Sequence, residues 1–490
     1  MATNEGKEGV INYDHAEQTK LDENVDSPPQ SNDGSLDFDA KSEKALIRKI
    51  DKRLLPILGA LYSIALIDRV NISAARISGM DVDLGLSIGD RYTIALIAFF
   101  PPYMLLELPS NLVLRRVGCA NWLSFIAFSW GIVMLGQGFV TNYHTLALCR
   151  ALLGAFEAGF FPGCAYLITC WYIRYEVQQR LAWFYLVSVF VGGFSSILAY
   201  GLIQMEGLGG VRGWQWIFII EGLLTVVVAI GAWFIIVDFP DKAAQKGLLT
   251  DREASFVAQR INIDRGDAEP DPLTWSKFAF HLKDFKLWAF AVMFMSTAMP
   301  AYALAYFAPV IVYSMGYSVG ITHLLSAPPV IFAVVVSLII SWASDKYKTR
   351  APAIAFQSIV CIIGLMMTAY CEGNIARYWG LFFGFAGCQG NIPSILAYQS
   401  NNIRTQSKRS VGSALQIGFG AIGGIMGSTV FRQQDAPRYV TGLWVTAGLQ
   451  MLILVLLGSL TTYFHVMNKK FDAGTLKKPL EGQEGFKFTL

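Results

Sequence analysis

The chain of 490 residues is 54% apolar and only 15% charged, against roughly 25% charged in ordinary soluble domains. A net charge of +3 gives no electrostatic footprint for nucleic acid. The five histidines, at 15, 144, 281, 323 and 465, stand singly and offer no metal cluster, and the seven cysteines form no paired motif and read as small buried hydrophobes.

Residues 1–50 are polar and acidic, without the basic start and apolar core of a signal peptide, and read as a disordered cytoplasmic tail. Apolar segments of about 20 residues, each enough to cross a hydrocarbon core, then recur along the chain. Twelve are counted, at 54–75, 92–113, 119–140, 144–169, 181–203, 214–237, 286–312, 322–343, 351–370, 377–398, 410–431 and 440–466. The fold expected is an all-α polytopic membrane protein with twelve transmembrane helices in two pseudo-symmetric six-helix halves. The N-terminal bundle is placed at 51–237, a cytoplasmic central loop at 238–285, the C-terminal bundle at 286–467 and a cytoplasmic tail at 468–490.

Within the central loop, Thr250 and Glu253 have capping-box spacing for a short helix, and "TWSKFAFHLKDFKLW" reads as an amphipathic interfacial segment. Arg115, Arg116, Lys346, Arg350, Lys408 and Arg409 fall in loops that face inside if the N-terminus is cytoplasmic, a moderate positive-inside bias. Basic turns also recur at matching places of the two halves, "NLVLRRVG" at 111–118 and "SWASDKYKTR" at 341–350. Such a repeat suggests a duplicated transporter with its site between the halves, near the midplane.

Ser341, Asp345 and Lys346 resemble the cytoplasmic loop motif of the major facilitator superfamily, and the copy at Asn111 and Arg115 is degenerate. An ordered set of further stretches narrows the resemblance to its anion:cation symporters, including the fungal allantoate, nicotinate, pantothenate and biotin permeases. They are "DRVNIS" (68–73), "ELPSNLVLRRVG" (107–118), "CRALLGAFEAGFFPG" (149–163), "GWQWIFIIEGLLT" (213–225), "LLSAPP" (324–329), "SDKYKTRAP" (344–352), "SKRSVGSALQIGFG" (407–420) and "DAPRY" (435–439). The nicotinate-permease-like group is nearest. The chain departs from fungal members at Ala74, Gln215, Ala421 and Ser428-Thr429, where amide or Arg groups are common. Losing cavity amides points to a less polar or differently shaped ligand.

Charges inside a membrane are costly and mark function by default. At about 1.5 Å per residue, Asp68 and Arg150 lie at nearly one level and Glu157 near the midplane. The resemblance implies that Asp68 and Glu157 couple protons and that Arg69 and Arg150 bind an anion. Asn71, Tyr166 and Gln416 are further candidates to contact substrate. Glu107, Arg115, Arg116, Asp345, Lys346 and Arg350 are candidate cytoplasmic gate residues, and for Glu221, only about 10 Å from the outside, an ion pair near Arg212 is the structural alternative. The Gly-rich 418–427 stretch is assigned to close helix packing and rocking. Ionised, Asp68, Arg69, Arg150 and Glu157 sum to zero, so an entering carboxylate and a proton would favour each other's binding.

The function expected is therefore secondary active transport: proton-coupled symport of a small organic anion, a monocarboxylate such as nicotinate, by alternating access. The proton gradient replaces any cofactor, the partners are the anion, protons and the bilayer, and the protein is a plasma-membrane monomer. An exporter of a carboxylated secondary metabolite would use the same residues. A membrane enzyme lacks a nucleophile motif or metal cluster, and a non-transporting sensor or a channel fits two related halves less well.

Overall fold

The computed structural model describes residues 40–238, 249–266, 275–347, 349–403, 406–432, 435, 438–475, 479–482 and 485–490. The chain divides into residues 1–47, of which only the first turns of a helix are described, and 48–490, which contains everything that follows. The predicted tail is thus outside the described residues up to position 39.

The structure is helical throughout its described core, and helices stand at all twelve predicted positions. The first part comprises α1 (Ala40–Ala75), α2 (Arg91–Ile97), α3 (Phe100–Val117), α4 (Cys119–Gln137), α5 (Tyr143–Glu157), α6 (Phe160–Trp171), α7 (Arg174–Gly192), α8 (Ser195–Ile203) and α9 (Gly213–Ile235). Two helices of the central loop follow, α10 (Asp251–Gly266) and α11 (Trp275–His281). The rest comprises α12 (Phe285–Ser314), α13 (Val319–Tyr347), α14 (Ala351–Tyr370), α15 (Asn374–Asn402), α16 (Gln406–Thr429) and α17 (Val440–Asp472). Among the described residues, ten helices are long and apolar enough to cross a membrane. The predicted spans at 92–113 and 377–398 are helical, as α2–α3 and α15, but fall outside those ten.

Three predicted spans are broken helices. Pro101 and Pro102, at the first turn of α3, have no N–H to continue the ladder from α2. Span four breaks directly after Glu157, and span five between α7 and α8. At the other end of α1 the chain turns through a π-helical stretch, Arg76–Met80, in which Gly79 takes φ 113°, a conformation costly for any residue with a Cβ.

α4 packs on α9, α12 on α16 and α14 on α15. The early and late helices meet where α13 lies on α7 and α8, and where α16 lies on α2 and α3. The Gly-rich stretch of α16 packs closely against its neighbours. A Cβ on Gly423 or Gly427 would sit 2.8 Å from a backbone carbonyl of α12, and one on Gly424 would sit 2.1 Å from the Phe100 ring.

The capping box of α10 forms as the spacing predicts: the Thr250 N–H donates to Glu253 Oε2 at 2.8 Å, and the Glu253 N–H to Thr250 Oγ1 at 3.3 Å. Gln215 has a local role, accepting the Arg212 N–H at 2.9 Å where α9 begins. Asp238, at the edge of the central loop, accepts the Ala120 N–H and so caps α4 just after the Arg115–Arg116 turn. Among the described residues, none of the seven cysteines is in a disulfide.

Candidate substrate and proton site

Asp68 and Arg69 are consecutive on α1, so their side chains leave the helix about 100° apart and reach different neighbours. Asp68, 0% exposed, turns to α4, where Trp130 Nε1 donates to its Oδ2 at 3.1 Å. Arg69 turns to the end of α5, where its Nε and one terminal nitrogen each lie 2.6 Å from Glu157 Oε1. Its other terminal nitrogen donates to the Tyr302 hydroxyl of α12 at 3.2 Å. The two halves therefore meet at this guanidinium. Its remaining surroundings are aromatic: the Tyr103 and Phe99 ring centroids are 5.2 and 5.4 Å away, and Tyr302 packs edge-on against Phe100 at 5.4 Å. Cations hold favourably over such rings.

The helix breaks build this geometry. Phe99 occupies the junction of α2 and α3, and Glu157 the last position of α5 before the chain restarts at Phe160. A continuous helix would carry both residues in fixed registers. Arg150 lies two turns earlier on the same face of α5 and reaches α1, but its bond is to the Asp68 backbone carbonyl at 3.3 Å. Its Nε and second terminal nitrogen, like Asp68 Oδ1, have no hydrogen-bond partner among the described residues.

The four charges singled out in the sequence are thus brought together, as one close ion pair, Arg69–Glu157, flanked by Asp68 and Arg150. A fifth belongs with them. Glu221 of α9 is 2% exposed, neither carboxylate oxygen has a hydrogen-bond partner, and it lies in the electrostatic surroundings of Asp68. The alternative pairing of Glu221 with Arg212 is not made. Arg212 lies at the exposed start of α9, 3.6 Å from Asp83 and 3.9 Å from Glu206.

Of the other candidates, Asn71 is buried on α1 with neither amide atom bonded, and Gln416 is buried on α16 with its Nε2 unbonded. Asn71 follows Arg69 by two residues and so leaves α1 on nearly the opposite side. Tyr166 is half-buried on α6, its carbonyl accepting the Thr169 hydroxyl at 2.6 Å.

The gate candidates fall on α3, on α13 and just before α14. Glu107 is half-buried, its carbonyl accepting Asn111 Nδ2 at 2.9 Å, and Arg116 is exposed. Lys346 is exposed, with its ammonium 4.9 Å from the Trp342 ring. Arg350 donates to Ser344 Oγ at 3.2 Å. The side chains of Arg115 and Asp345 lie outside the described residues. At the opposite end of the bundle, side chains do join the early and late helices. Ser78 Oγ is 3.0 Å from His323 Nε2, and the Tyr92 hydroxyl donates to the Tyr306 carbonyl at 3.4 Å. Sequence reasoning passed over Ser78, Tyr103, Trp130, Asp238 and His323. Only Trp130 carried a signal, because a buried indole N–H needs an acceptor.

A polytopic bundle of broken helices around buried, cross-linked charges is a membrane-transporter architecture. The chain belongs to the Major Facilitator Superfamily, whose model matches residues 58–428. It is 32% identical to the MFS transporter prlL of a fungus (strain NRRL 50135) over 92% of each chain. It is 26% identical to the high-affinity nicotinic acid transporter of Saccharomyces cerevisiae, over 84% of this chain and 76% of that one. Among solved structures, the fold resembles a bacterial homologue of the human lysosomal transporter Spinster in an inward-facing, occupied conformation, with TM-score 0.62 and 16% identity, covering 82% of this chain and 94% of that one. It also resembles the Escherichia coli xylose transporter XylE in a partially occluded, inward-open conformation, with TM-score 0.63 and 12% identity, covering 83% of this chain and 97% of that one.

Proposed function

We propose that this transporter imports a small organic monocarboxylate together with protons, by alternating access, across the plasma membrane, with both termini cytoplasmic. The observation that carries the reading is the buried Arg69–Glu157 pair reaching Tyr302 across the halves. A guanidinium stays charged and can grip a carboxylate with two parallel bonds. Here its carboxylate partner is internal. A substrate carboxylate taking the place of Glu157 must leave Glu157 neutral, since two buried carboxylates cannot share one guanidinium without a large cost. Anion and proton then enter together or not at all.

Arg150, with two unbonded nitrogens beside Asp68, is the second cation available to the anion. The aromatic wall of Tyr103, Phe99 and Tyr302 suits a flat, weakly polar ligand body better than a polyol. The relative named for nicotinic acid makes nicotinate the first probe. Side-chain links at the Ser78–His323 end favour an inward-facing state in this reading.

The test is uptake of labelled nicotinate at pH 5 in fungal cells lacking their own permease. Saturable uptake abolished by a protonophore and by Glu157→Gln supports proton symport. Absence of uptake by correctly localised protein removes nicotinate, and uptake indifferent to Glu157→Gln removes the coupling scheme.

A further inference from the structure

Residues 485–490 return along the ends of the late helices, at the same face as the 344–350 loop. Successive backbone groups are matched one by one. The Phe488 N–H donates to Asn468 Oδ1 at 2.9 Å, while its carbonyl accepts Asn468 Nδ2 at 2.8 Å. Thr489 repeats the pattern on α15: its N–H donates to Asn402 Oδ1 at 2.8 Å and its carbonyl accepts Asn402 Nδ2 at 3.2 Å. The Leu490 carbonyl accepts the Arg350 N–H, within the loop itself, at 2.9 Å.

Side chains deepen the attachment. Phe486 and Phe488 are 7% and 5% exposed, in one core cluster with Leu287, Ile354, Tyr398 and Leu460, and Phe488 stacks on Phe464 at 4.4 Å. Ahead of them Glu481, its side chain 3% exposed, is held by two lysines. Lys408 of α16 contacts it at 2.7 Å, and Lys286 of α12 bonds it as well. Lys408 also lies 2.5 Å from Asp284, so two cations face two carboxylates in a neutral, largely buried cluster. A side-chain amide that pairs with both backbone groups of one residue is a recognition device for an extended segment. Two such amides on different helices, a loop N–H and a charge pocket fix its register.

We infer that Asn402, Asn468, Lys286 and Lys408 form a docking cleft for residues 479–482 and 485–490. The seated segment clamps Arg350, just ahead of α14, and the inner ends of α12, α15, α16 and α17 into one body. Its bearing on transport rests on the alternating-access reading, in which these helices move as a unit and Arg350 lies at the gate. Glu481 and the two asparagines are then positioning residues, remote from the Arg69–Glu157 pair.

Hydrogen exchange on the whole protein in lipid nanodiscs tests the cleft directly. The Phe488, Thr489 and Arg350 amides are expected to be protected. Thr489→Pro removes the N–H given to Asn402 without touching the bundle, and Glu481→Gln weakens the charge pocket. Each is expected to raise exchange at the Phe488 and Arg350 amides about tenfold or more, as the loss of one or two hydrogen bonds implies. In the uptake assay each is expected to lower the maximal rate several-fold with an unchanged KM for nicotinate. Exchange at 488–490 as fast as in a free peptide, or a freed segment with the Arg350 amide still protected, overturns the clamp. Where the wild type takes up no nicotinate, the substrate reading fails, and the exchange data alone still decide the clamp.

Discussion

Arg69→Ala leaves Glu157 buried with neither of its 2.6 Å contacts. Glu157 is 2% exposed, so water cannot replace them. Breaking a buried pair from one side costs about 3–5 kcal/mol, most of it the penalty of the orphaned charge. Adding Glu157→Gln removes that charge and leaves a neutral amide, whose unsatisfied groups cost about 1–3 kcal/mol. The double variant is therefore expected to be about 2 kcal/mol more stable than Arg69→Ala alone, the two values differing by that much. Thermal unfolding of all three proteins in one detergent, with binding of a conformational dye as readout, gives the order of midpoints. The expected order is wild type, then the double variant, then Arg69→Ala. A double variant no more stable than Arg69→Ala would refute the buried pair as an electrostatic unit, because the second change would then only add damage.

Two further outcomes follow from groups at the two ends of the bundle. His323→Phe removes the bond to Ser78 and so weakens the contact between halves at that end. In a background without the partly exposed thiols Cys149, Cys170 and Cys371, a cysteine placed at Tyr306 is expected to react with an external, membrane-impermeant maleimide about fivefold faster, for a bond of ~1 kcal/mol. At the other end, burial alone would raise the Asp284 carboxyl, but Lys408 and Lys286 outweigh it and hold it below the usual carboxylate range. Its stabilising contribution is fully present above the ordinary carboxylate value of about 4 and is lost as pH falls through the lower folded value. Thermal midpoints measured from pH 6 to pH 3 are expected to show a shallower acid decline in Asp284→Asn, and an unchanged decline would contradict the Lys408–Asp284 contact.

The helices, their order and the common level of Asp68, Arg69, Arg150 and Glu157 were readable from apolar runs and helical rise. The partners were not. Depth says which charges share a level, but the pairing depends on rotation about each axis, and neighbours 100° apart on α1 end up at different helices. The breaks were signalled by Pro101-Pro102 and by Gly159 with Pro162, yet an apolar run reads straight through them. Breaks are what bring Phe99 and Glu157 to Arg69. Glu221 was placed with the nearest cation in sequence, Arg212, because Asp83 and Glu206, which reach that arginine, lie in turns whose folding no periodicity reveals. Asn402 and Asn468 gave no signal in the sequence, since the segment that occupies them has no regular pattern of its own.

The approach of Gly424 to Phe100 has a mechanical consequence. With no side chain to interlock, α16 can tilt against α3 at that point as a lever on a fulcrum. The arms are unequal: by rise alone, about 27 Å of helix runs from Gly424 to Gln406 and about 8 Å to Thr429. A tilt of about 10° would carry the long end through roughly 5 Å and the short end through little more than 1 Å. A gap wide enough for a small acid could thus open at the Gln406 end while the Thr429 end scarcely moves.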